Sequence, residues 1–251
     1  MKEYLSADDR ALLQRHGLDS FVALWELQLA AVDEPNTENG GWSSVFRLNL
    51  EGSGFFLKRQ SDYFTRTLHR PCGEPTVARE FRNIERYQRL GIPSLQAVFF
   101  GERKVNGEHR AVLLTRALDG WMPLTRLLAN WQDRTEKDRR LIISACAALV
   151  GKLHLAGLKH GCLYPKHLFV HEHQGHWQAC LIDLEKTRRL WLRWRDQVRD
   201  LETFLRTVRV WDGKEQREFL EGYLRASGVS GSLGLWRQRL GARRKYKEEG
   251  H

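Results

Sequence analysis

Two charged residues in this chain directly adjoin apolar runs. Lys58 follows the run FFL, and Asp183 follows the run ACLI. Burying an unpaired charge is costly, so each of these side chains must have a partner, a ligand or access to water. Metal coordination explains Asp183 as well as a helix cap or an arginine salt bridge does. Taken alone, Lys58 is explained more simply as an edge-strand lysine that reaches water.

Phosphoryl transfer from a nucleotide would use both residues. It needs a loop over the phosphates, a lysine that contacts them, a bound divalent metal and a group that positions the attacking hydroxyl. The segment NGGWSS, residues 39–44, precedes a predicted strand, and Gly40, Gly41 and Ser43 could let backbone N–H groups approach phosphate oxygens. An ordinary turn has the same composition, so two glycines alone do not decide the matter.

Glu80 is the predicted partner of Lys58. It lies in VAREF, on a predicted helix that follows the lysine strand, and a carboxylate there could hold the ammonium group over the phosphates. Glu85 competes for the same role. A solvated glutamate on the helix surface is the plainer explanation.

The spacing is most informative in HGCLYPKHLFV, residues 160–170. It parallels the protein-kinase catalytic loop HRDLxxxN, which is followed by two strands, the second ending in a metal-binding aspartate. His160 matches the histidine of that loop, and His167 occupies the place of its metal-binding asparagine. Asp183 takes the place of the metal-binding aspartate. Cys162 stands where the catalytic aspartate belongs.

The surrounding elements predict how these residues are held. Helical spacing indicates a leading helical segment over 6–32 and a helix over about 75–90, and the strand patterns predict hairpins at 45–60 and 95–118. After residue 120 most segments have helical periodicity, interrupted by a buried hairpin within 158–186. The chain is therefore predicted to be α+β and two-lobed, with a cleft between the lobes. The N-lobe would span residues 1–116, and the helical C-lobe, with a basic C-terminal tail, residues 117–251.

Composition restricts the function classes. The chain has 251 residues, 41% of them hydrophobic, and a formal charge of +10, which predicts a folded protein with an anionic partner. The longest apolar run, 141–150, is half of the roughly 20 residues that a membrane span needs. The N-terminus lacks the pattern of a signal peptide, and the four cysteines form no CxxC pair, so we expect a cytoplasmic protein with reduced thiols.

Four strings together resemble the lipopolysaccharide-core kinases, the Kdo/WaaP family, and most closely its InaA-like branch. The strings are KRQ at 58–60, PTVAREFRNIERYQRLGIP at 75–93, LYPKHLFV at 163–170, and IDLEK with RWRDQVRDL within 182–201. The resemblance extends from residue 40 to about residue 205. None of the strings would suffice singly.

The resemblance implies a protein-kinase-like fold that uses ATP and Mg²⁺ to phosphorylate a heptose or Kdo hydroxyl of the lipopolysaccharide core, at the cytoplasmic side of the inner membrane. Lys58 would hold the α- and β-phosphates and Glu80 would pair with it. His167 and Asp183 would bind the metal. Asp200 would correspond to the helix aspartate that supports the catalytic loop.

Cys162 departs from the family pattern. Active members have an aspartate there, which orients or accepts the proton of the substrate hydroxyl, and a neutral thiol cannot accept a strong charge-assisted hydrogen bond. General-base catalysis contributes about 10²–10⁴-fold, so the chain is either a feeble enzyme or a nucleotide-binding pseudokinase with a scaffold or regulatory role.

Other classes remain open at this stage. Six of the ten histidines lie between residues 154 and 176, and His171, His173 and His176 with Cys162 could form a zinc site, although no CxxC or HExxH frame supports it. Cys162 with His160 could act as a thiol nucleophile, but no oxyanion site is recognisable. The segments RRLWLRWR (188–195) and ARRKYK (242–247) suit an anionic membrane surface or, less well, nucleic acid. A phosphotransferase for antibiotics or choline would share the fold, although the basic charge disfavours cationic acceptors.

Overall fold

The structure is a computed structural model that describes residues 2–37, 40–67 and 70–248. Some positions named in the sequence analysis lie outside the described residues: Asn39, the side chain of Cys72 and the basic side chains from residue 244 onward. The chain divides into two units, one formed by residues 1–88 and 95–119 and the other by residues 89–94 and 120–251. The first unit is rich in strands and the second is largely helical, which confirms the predicted fold class.

The first unit is built on a five-stranded antiparallel sheet with the strand order β1-β6-β7-β3-β2. Its strands are β1 (Lys2–Leu5), β2 (Trp42–Leu50), β3 (Ser53–Ser61), β6 (Ala97–Val105) and β7 (Glu108–Arg116), and a separate hairpin is formed by β4 (Phe64–Thr67) and β5 (Arg70–Pro75). Both predicted hairpins are present. Lys58 pairs with Val45 on one side and Leu113 on the other, so β3 is an interior strand and the edge-strand explanation of Lys58 is wrong.

Three helices complete this unit: α1 (Ala7–Arg15), α2 (Phe21–Glu26) and α3 (Thr76–Arg89). The predicted leading segment is therefore two helices. It breaks because Gly17 adopts a left-handed conformation with φ 65° and Ser20 caps the second helix. Leu13 and Leu24 from these helices are buried with Phe55 and Leu57 of β3 in one core.

The second unit contains α4 (Leu124–Ala129), α5 (Glu136–Leu155), α6 (Trp194–Thr207), α7 (Gly213–Ser227) and α8 (Leu233–Glu248). Helices α5 and α7 approach closely because glycines line their contact. A Cβ atom at Gly151 would lie 2.4 Å from that of Ala226, and one at Gly222 would lie 3.0 Å from that of Ala147.

Among the described residues, no helix is both long enough and apolar enough to cross a bilayer.

Short strands of the second unit hold the loop predicted to carry chemistry. They are β8 (Met122–Pro123), β9 (Leu158–Lys159), β10 (Leu168–His173), β11 (His176–Leu181) and β12 (Arg188–Arg189). The β10–β11 pair confirms the predicted buried hairpin, and β9 pairs with β12. Residues 160–167 therefore run from β9 to β10, and residues 182–187 run from β11 to β12. These two segments come together in the candidate site.

Candidate functional site

Lys58 and Glu80 form an ion pair in the first unit. The Lys58 Nζ atom lies 2.6 Å from Glu80 Oε2, and the glutamate side chain is only 4% exposed whereas that of the lysine is 26% exposed. The arrangement leaves the lysine accessible while its partner is buried. The ammonium group of Lys58 can therefore contact an anion in solution while it keeps its ion pair with the buried carboxylate of Glu80.

Gln60 fixes the helix that carries Glu80 against the strand that carries Lys58. Its buried side chain accepts a hydrogen bond from the backbone N–H of Val77, at the start of α3, at 3.0 Å, and it donates to the hydroxyl groups of Thr76 and Ser43. One amide thus joins β2, β3 and the first turn of α3 and replaces a helix cap. Gln60 lies within the string KRQ, but nothing in its spacing predicts this role because its partners come from two other elements.

Three residues at the start of β2 and just before it are predicted to lie near phosphates. Gly40 has φ 80°, and a Cβ atom at Gly41 would lie 2.2 Å from the carbonyl oxygen of Ser61, so Gly41 has a packing reason to be glycine. The backbone N–H of Ser43 donates to Asn36, and its hydroxyl accepts a hydrogen bond from Gln60. A phosphate-binding role for Gly40, Gly41 and Ser43 stays a prediction.

In the second unit, the carboxylate of Asp200 supports the loop at 160–167. It accepts hydrogen bonds from the backbone N–H groups of His160, at 2.6 Å, and Gly161, at 3.0 Å. Asp200 is 3% exposed, and its Oδ2 atom also lies 3.4 Å from His154 Nε2. This is the loop-supporting contact that the resemblance implied. Because the anchor is buried, bulk water does not compete for these two amide groups.

Gly161 allows the loop to pack tightly. Its φ is 83°, and a Cβ atom there would lie 2.7 Å from the carbonyl oxygen of Lys186. Only glycine avoids both the steric cost of this backbone conformation and the clash. The loop is therefore held from two directions, by Asp200 and by the turn after Asp183.

Asp183 adopts a strained backbone conformation at the end of the hairpin. Its φ and ψ are 57° and 60°, in the left-handed region that non-glycine residues seldom occupy, and its side chain caps no helix. Oδ2 lies 3.1 Å from Nε2 of His167, which is 7% exposed. The helix-cap explanation of Asp183 is therefore wrong, and its described partner is a histidine, not an arginine.

Cys162 lies beside this pair. Its Sγ atom is 3.8 Å from Asp183 Oδ2 and 3.4 Å from His160 Nδ1, and the residue is 7% exposed. Burial, reinforced by the negative charge of Asp183, raises the pKa of the Cys162 thiol well above its usual value. In this environment the thiol is neutral at physiological pH, and it cannot act as the strong acceptor that an aspartate would provide.

The zinc hypothesis drawn from the hairpin histidines needs correction. The Nδ1–H group of His171 donates a hydrogen bond to the carbonyl oxygen of Gly120 at 3.0 Å. His173 lies opposite His176 near the exposed hairpin tip. Within the described part of the chain, the histidines that come together with Cys162 are instead His160 and His167. Sequence spacing favoured the wrong histidines because three of them are adjacent on two paired strands.

Comparison with known proteins identifies the family. The model of the lipopolysaccharide kinase (Kdo/WaaP) family matches residues 22–223, well over half of the chain. The chain belongs to this family. The predicted resemblance is therefore confirmed.

Similar proteins agree with this assignment. Protein InaA of Escherichia coli (strain K12) is 29% identical over 212 residues, which cover 80% of this chain and 95% of that protein. The lipopolysaccharide core heptose(I) kinase WaaP of the same strain is 25% identical over 196 residues, 72% of each chain. A solved structure described as WaaP in complex with acyl carrier protein matches with a TM-score of 0.73 at 22% identity, over 99% of this chain and 98% of that one.

Family membership supports a coarse functional statement. Members of a kinase family are phosphotransferases that use a nucleotide, and the heptose kinase relatives share the fold with this chain. Whether this chain is active, on which acceptor and with which metal, depends on its own site residues.

Replacement of Asp200 tests whether this carboxylate holds the loop. Asp200→Ala leaves the buried N–H groups of His160 and Gly161 without an acceptor, so the free energy of unfolding should fall by about 3–5 kcal/mol. Arg199→Ala, at an exposed position of the same helix, should change it by less than about 0.5 kcal/mol. Chemical denaturation measures both.

Amide hydrogen exchange adds a local readout. The amides of His160 and Gly161 should exchange much faster in Asp200→Ala than in the unmodified protein, relative to core amides of α5. Unchanged protection of these two amides would show that the loop is held by other contacts.

Proposed function

We propose that this protein is an ATP- and Mg²⁺-dependent phosphotransferase that acts on a sugar hydroxyl, heptose or Kdo, of the lipopolysaccharide core. Family membership supports the reaction class. The observation that carries the proposal is the pairing of Asp183 with His167 on a loop anchored by Asp200, because a cation-binding carboxylate at this position is what phosphoryl transfer requires.

The side chains would divide the work as follows. Lys58, held by Glu80, would contact nucleotide phosphates. Gly40 and Gly41, just before β2, and Ser43, near the start of that strand, would lie near them. Asp183 and His167 would hold the metal ion. When bound, Mg²⁺ supplies positive charge that offsets the charge developing on the transferred phosphoryl group.

The donor atoms fit Mg²⁺ in part. Two ligands at about 2.1 Å from one ion and at right angles lie about 3.0 Å apart, and the observed separation of Asp183 Oδ2 and His167 Nε2 is 3.1 Å. Mg²⁺ prefers oxygen ligands and keeps several waters, so the carboxylate suits it better than the imidazole does. Asp183 is therefore the principal protein ligand in this proposal.

Because the thiol of Cys162 is neutral, we expect slow phosphate transfer to the sugar hydroxyl. In a loose phosphoryl-transfer transition state, the residue at this position mainly orients the attacking hydroxyl, so a weak acceptor slows the reaction without abolishing it. The same thiol favours a second candidate function, a nucleotide-binding pseudokinase with a scaffold or regulatory role at the membrane. The two candidates differ in acceptor phosphorylation and share nucleotide binding.

Nucleotide binding is predicted to depend on Asp183 and Lys58. ATP with Mg²⁺ should raise the melting temperature of the unmodified protein, because a ligand that binds only the folded state stabilises it. Asp183→Ala should lose the Mg²⁺-dependent part of this shift, and Lys58→Ala should reduce the whole of it. Asp133→Ala and Lys104→Ala, at exposed positions of the two units, should keep it. A full shift in Asp183→Ala would contradict the metal assignment.

Restoring the usual carboxylate is predicted to raise turnover. Cys162→Asp should increase phosphate transfer from ATP to purified lipopolysaccharide core by about 10²-fold or more, since a general base contributes about 10²–10⁴-fold. Cys162→Ala, which removes the thiol without adding an acceptor, should not increase it. If all three proteins transfer no phosphate but still bind nucleotide, the pseudokinase candidate is favoured.

We further propose that the segment 188–195, RRLWLRWR, contacts an anionic membrane surface. The side chains of Trp191, Leu192 and Trp194 are 74%, 51% and 41% exposed, and arginines at exposed positions flank them. Aromatic and basic residues together suit the headgroup region of a bilayer. The acceptor proposed above is itself linked to lipid, so this surface would bring the enzyme to it.

Asp196 holds this segment in place. Its Oδ2 atom accepts hydrogen bonds from the backbone N–H groups of Trp191 and Leu192, both at 2.9 Å, and Oδ1 pairs with Lys159 at 2.5 Å. Burial opposes ionisation of Asp196, but the contacts with Lys159 and the two amides outweigh it, so its pKa lies below the usual value. The exposed apolar side chains therefore project from an ordered turn.

Vesicle binding tests the membrane surface. The protein should bind vesicles with anionic lipid and not neutral ones, binding should weaken with salt, and Trp191→Ser with Leu192→Ser should reduce it by about tenfold or more. Leu90→Ser, at another exposed leucine, should leave it unchanged. Tighter binding to random oligonucleotides than to anionic vesicles would instead support the nucleic-acid hypothesis.

A further inference from the structure

Three potential metal ligands converge on the Asp200-anchored loop, and the carboxylate of Asp183 lies beside two of them. One ligand atom from each of His160, Cys162 and His167 lies within 4.8 Å of those from the other two, and all three residues are buried. Asp183 adds a carboxylate oxygen 3.1 Å from His167 Nε2 and 3.8 Å from the Cys162 sulfur. The four side chains come from two segments that the fold holds together, 160–167 and 182–187.

Backbone carbonyl groups orient both imidazole rings. His160 Nε2 lies 2.9 Å from the carbonyl oxygen of Ile182, and His167 Nδ1 lies 2.8 Å from that of Cys162. Since a carbonyl oxygen only accepts hydrogen bonds, each of these nitrogens carries its ring's proton. The other nitrogens, His160 Nδ1 and His167 Nε2, then face the thiol and the carboxylate and are the ring atoms available to a metal ion. Metal-binding histidines are commonly oriented by such a second hydrogen bond.

Three of the six distances between the four ligand atoms are close to those of tetrahedral coordination. Zinc bonds of about 2.3 Å to sulfur and about 2.0–2.2 Å to nitrogen or oxygen place neighbouring ligand atoms about 3.4–3.6 Å apart at tetrahedral angles. The sulfur of Cys162 lies 3.4 Å from His160 Nδ1 and 3.8 Å from Asp183 Oδ2, and the His167–Asp183 separation is 3.1 Å. Each differs from the ideal range by at most about 0.3 Å.

The geometry points to a zinc site formed by Cys162, His160, His167 and Asp183. When zinc binds, the thiol of Cys162 would release its proton to solvent and bind the metal as a thiolate. Thiolate and imidazole ligands favour Zn²⁺ over Mg²⁺, so the residues that depart from the kinase pattern, Cys162 and His167, are the ones that create the preference. The site goes beyond the proposed phosphotransferase activity, and it shares Asp183 and His167 with the proposed Mg²⁺ ligands. Bound zinc would therefore compete with the magnesium–nucleotide complex.

Titration with the metal alone tests the site. The titration uses isothermal calorimetry with Zn²⁺ and no nucleotide. A Cys72→Ser background removes the one thiol whose side chain lies outside the described residues. The protein should then show one tight site per chain. Cys162→Ser and His160→Asn should each weaken it by at least tenfold, because ligand loss removes a metal–protein bond. Cys180→Ser, which removes another buried thiol, and the double variant His173→Asn with His176→Asn should leave the affinity unchanged.

Cobalt substitution reports the ligands directly. Co²⁺ bound at the site should show the intense visible absorption of tetrahedral coordination and a thiolate-to-metal charge-transfer band in the near ultraviolet. Cys162→Ser should lose the charge-transfer band while remaining folded by circular dichroism. Equal affinity in Cys162→Ser, or a cobalt spectrum without the thiolate band in the unmodified protein, would overturn the proposal.

These measurements separate the zinc site from the proposed function. Zinc binding without nucleotide, together with the predicted loss in Cys162→Ser, supports the site whether or not phosphate is transferred to a core sugar. Magnesium-dependent nucleotide binding in a protein that does not bind zinc would retain the phosphotransferase proposal and reject the zinc site. The predicted competition would be supported if zinc weakened the affinity of the unmodified protein for magnesium–ATP but did not change the affinity of Cys162→Ser.

Discussion

The buried carboxylate of Asp200 is the constraint on which the candidate site depends. It accepts both amide hydrogens at the start of the loop, from His160 and Gly161, and the loop then positions Cys162 and His167 against Asp183. A buried acceptor that serves two backbone donors is costly to lose, because both amides would remain unsatisfied. The two amide contacts of this one carboxylate on α6 therefore hold the start of the loop that carries His160, Cys162 and His167.

On the resemblance to the kinase loop, Cys162 stands at the place of the catalytic aspartate and His167 at that of a metal-binding asparagine. An aspartate and an asparagine there would form an oxygen-rich site suited to a hard cation such as Mg²⁺. Sulfur and nitrogen donors are softer, while Asp183 offers a hard oxygen ligand. The proposed preference of the loop for Zn²⁺ rests on this difference, and the lower expected rate of phosphotransfer rests on Cys162 alone.

Much of the fold could be predicted because its patterns are local. The hairpin at 45–60, the helix carrying Glu80 and the hairpin after the loop follow from hydrophobic spacing and turn residues. The break between α1 and α2 and the interior position of β3 depend on backbone conformation and on pairing with distant strands, which periodicity does not report. In the site, spacing led to His160, Cys162, His167 and Asp183. The availability of His160 Nδ1 to a metal ion was missed because the tautomer of this ring depends on a carbonyl group 22 residues away.

The most direct test of the central claim, that this anchored loop holds the cation of a nucleotide-using enzyme, is nitrogen NMR of the histidine rings during titration with Mn²⁺ and ATP. In protein labelled at the imidazole nitrogens, the paramagnetic ion should broaden His167 and His160 at low metal occupancy and leave His173 and His176, at the exposed tip of the β10–β11 hairpin, sharp. Equal broadening of all the histidines, or sharp His167 signals at saturating nucleotide, would contradict the account.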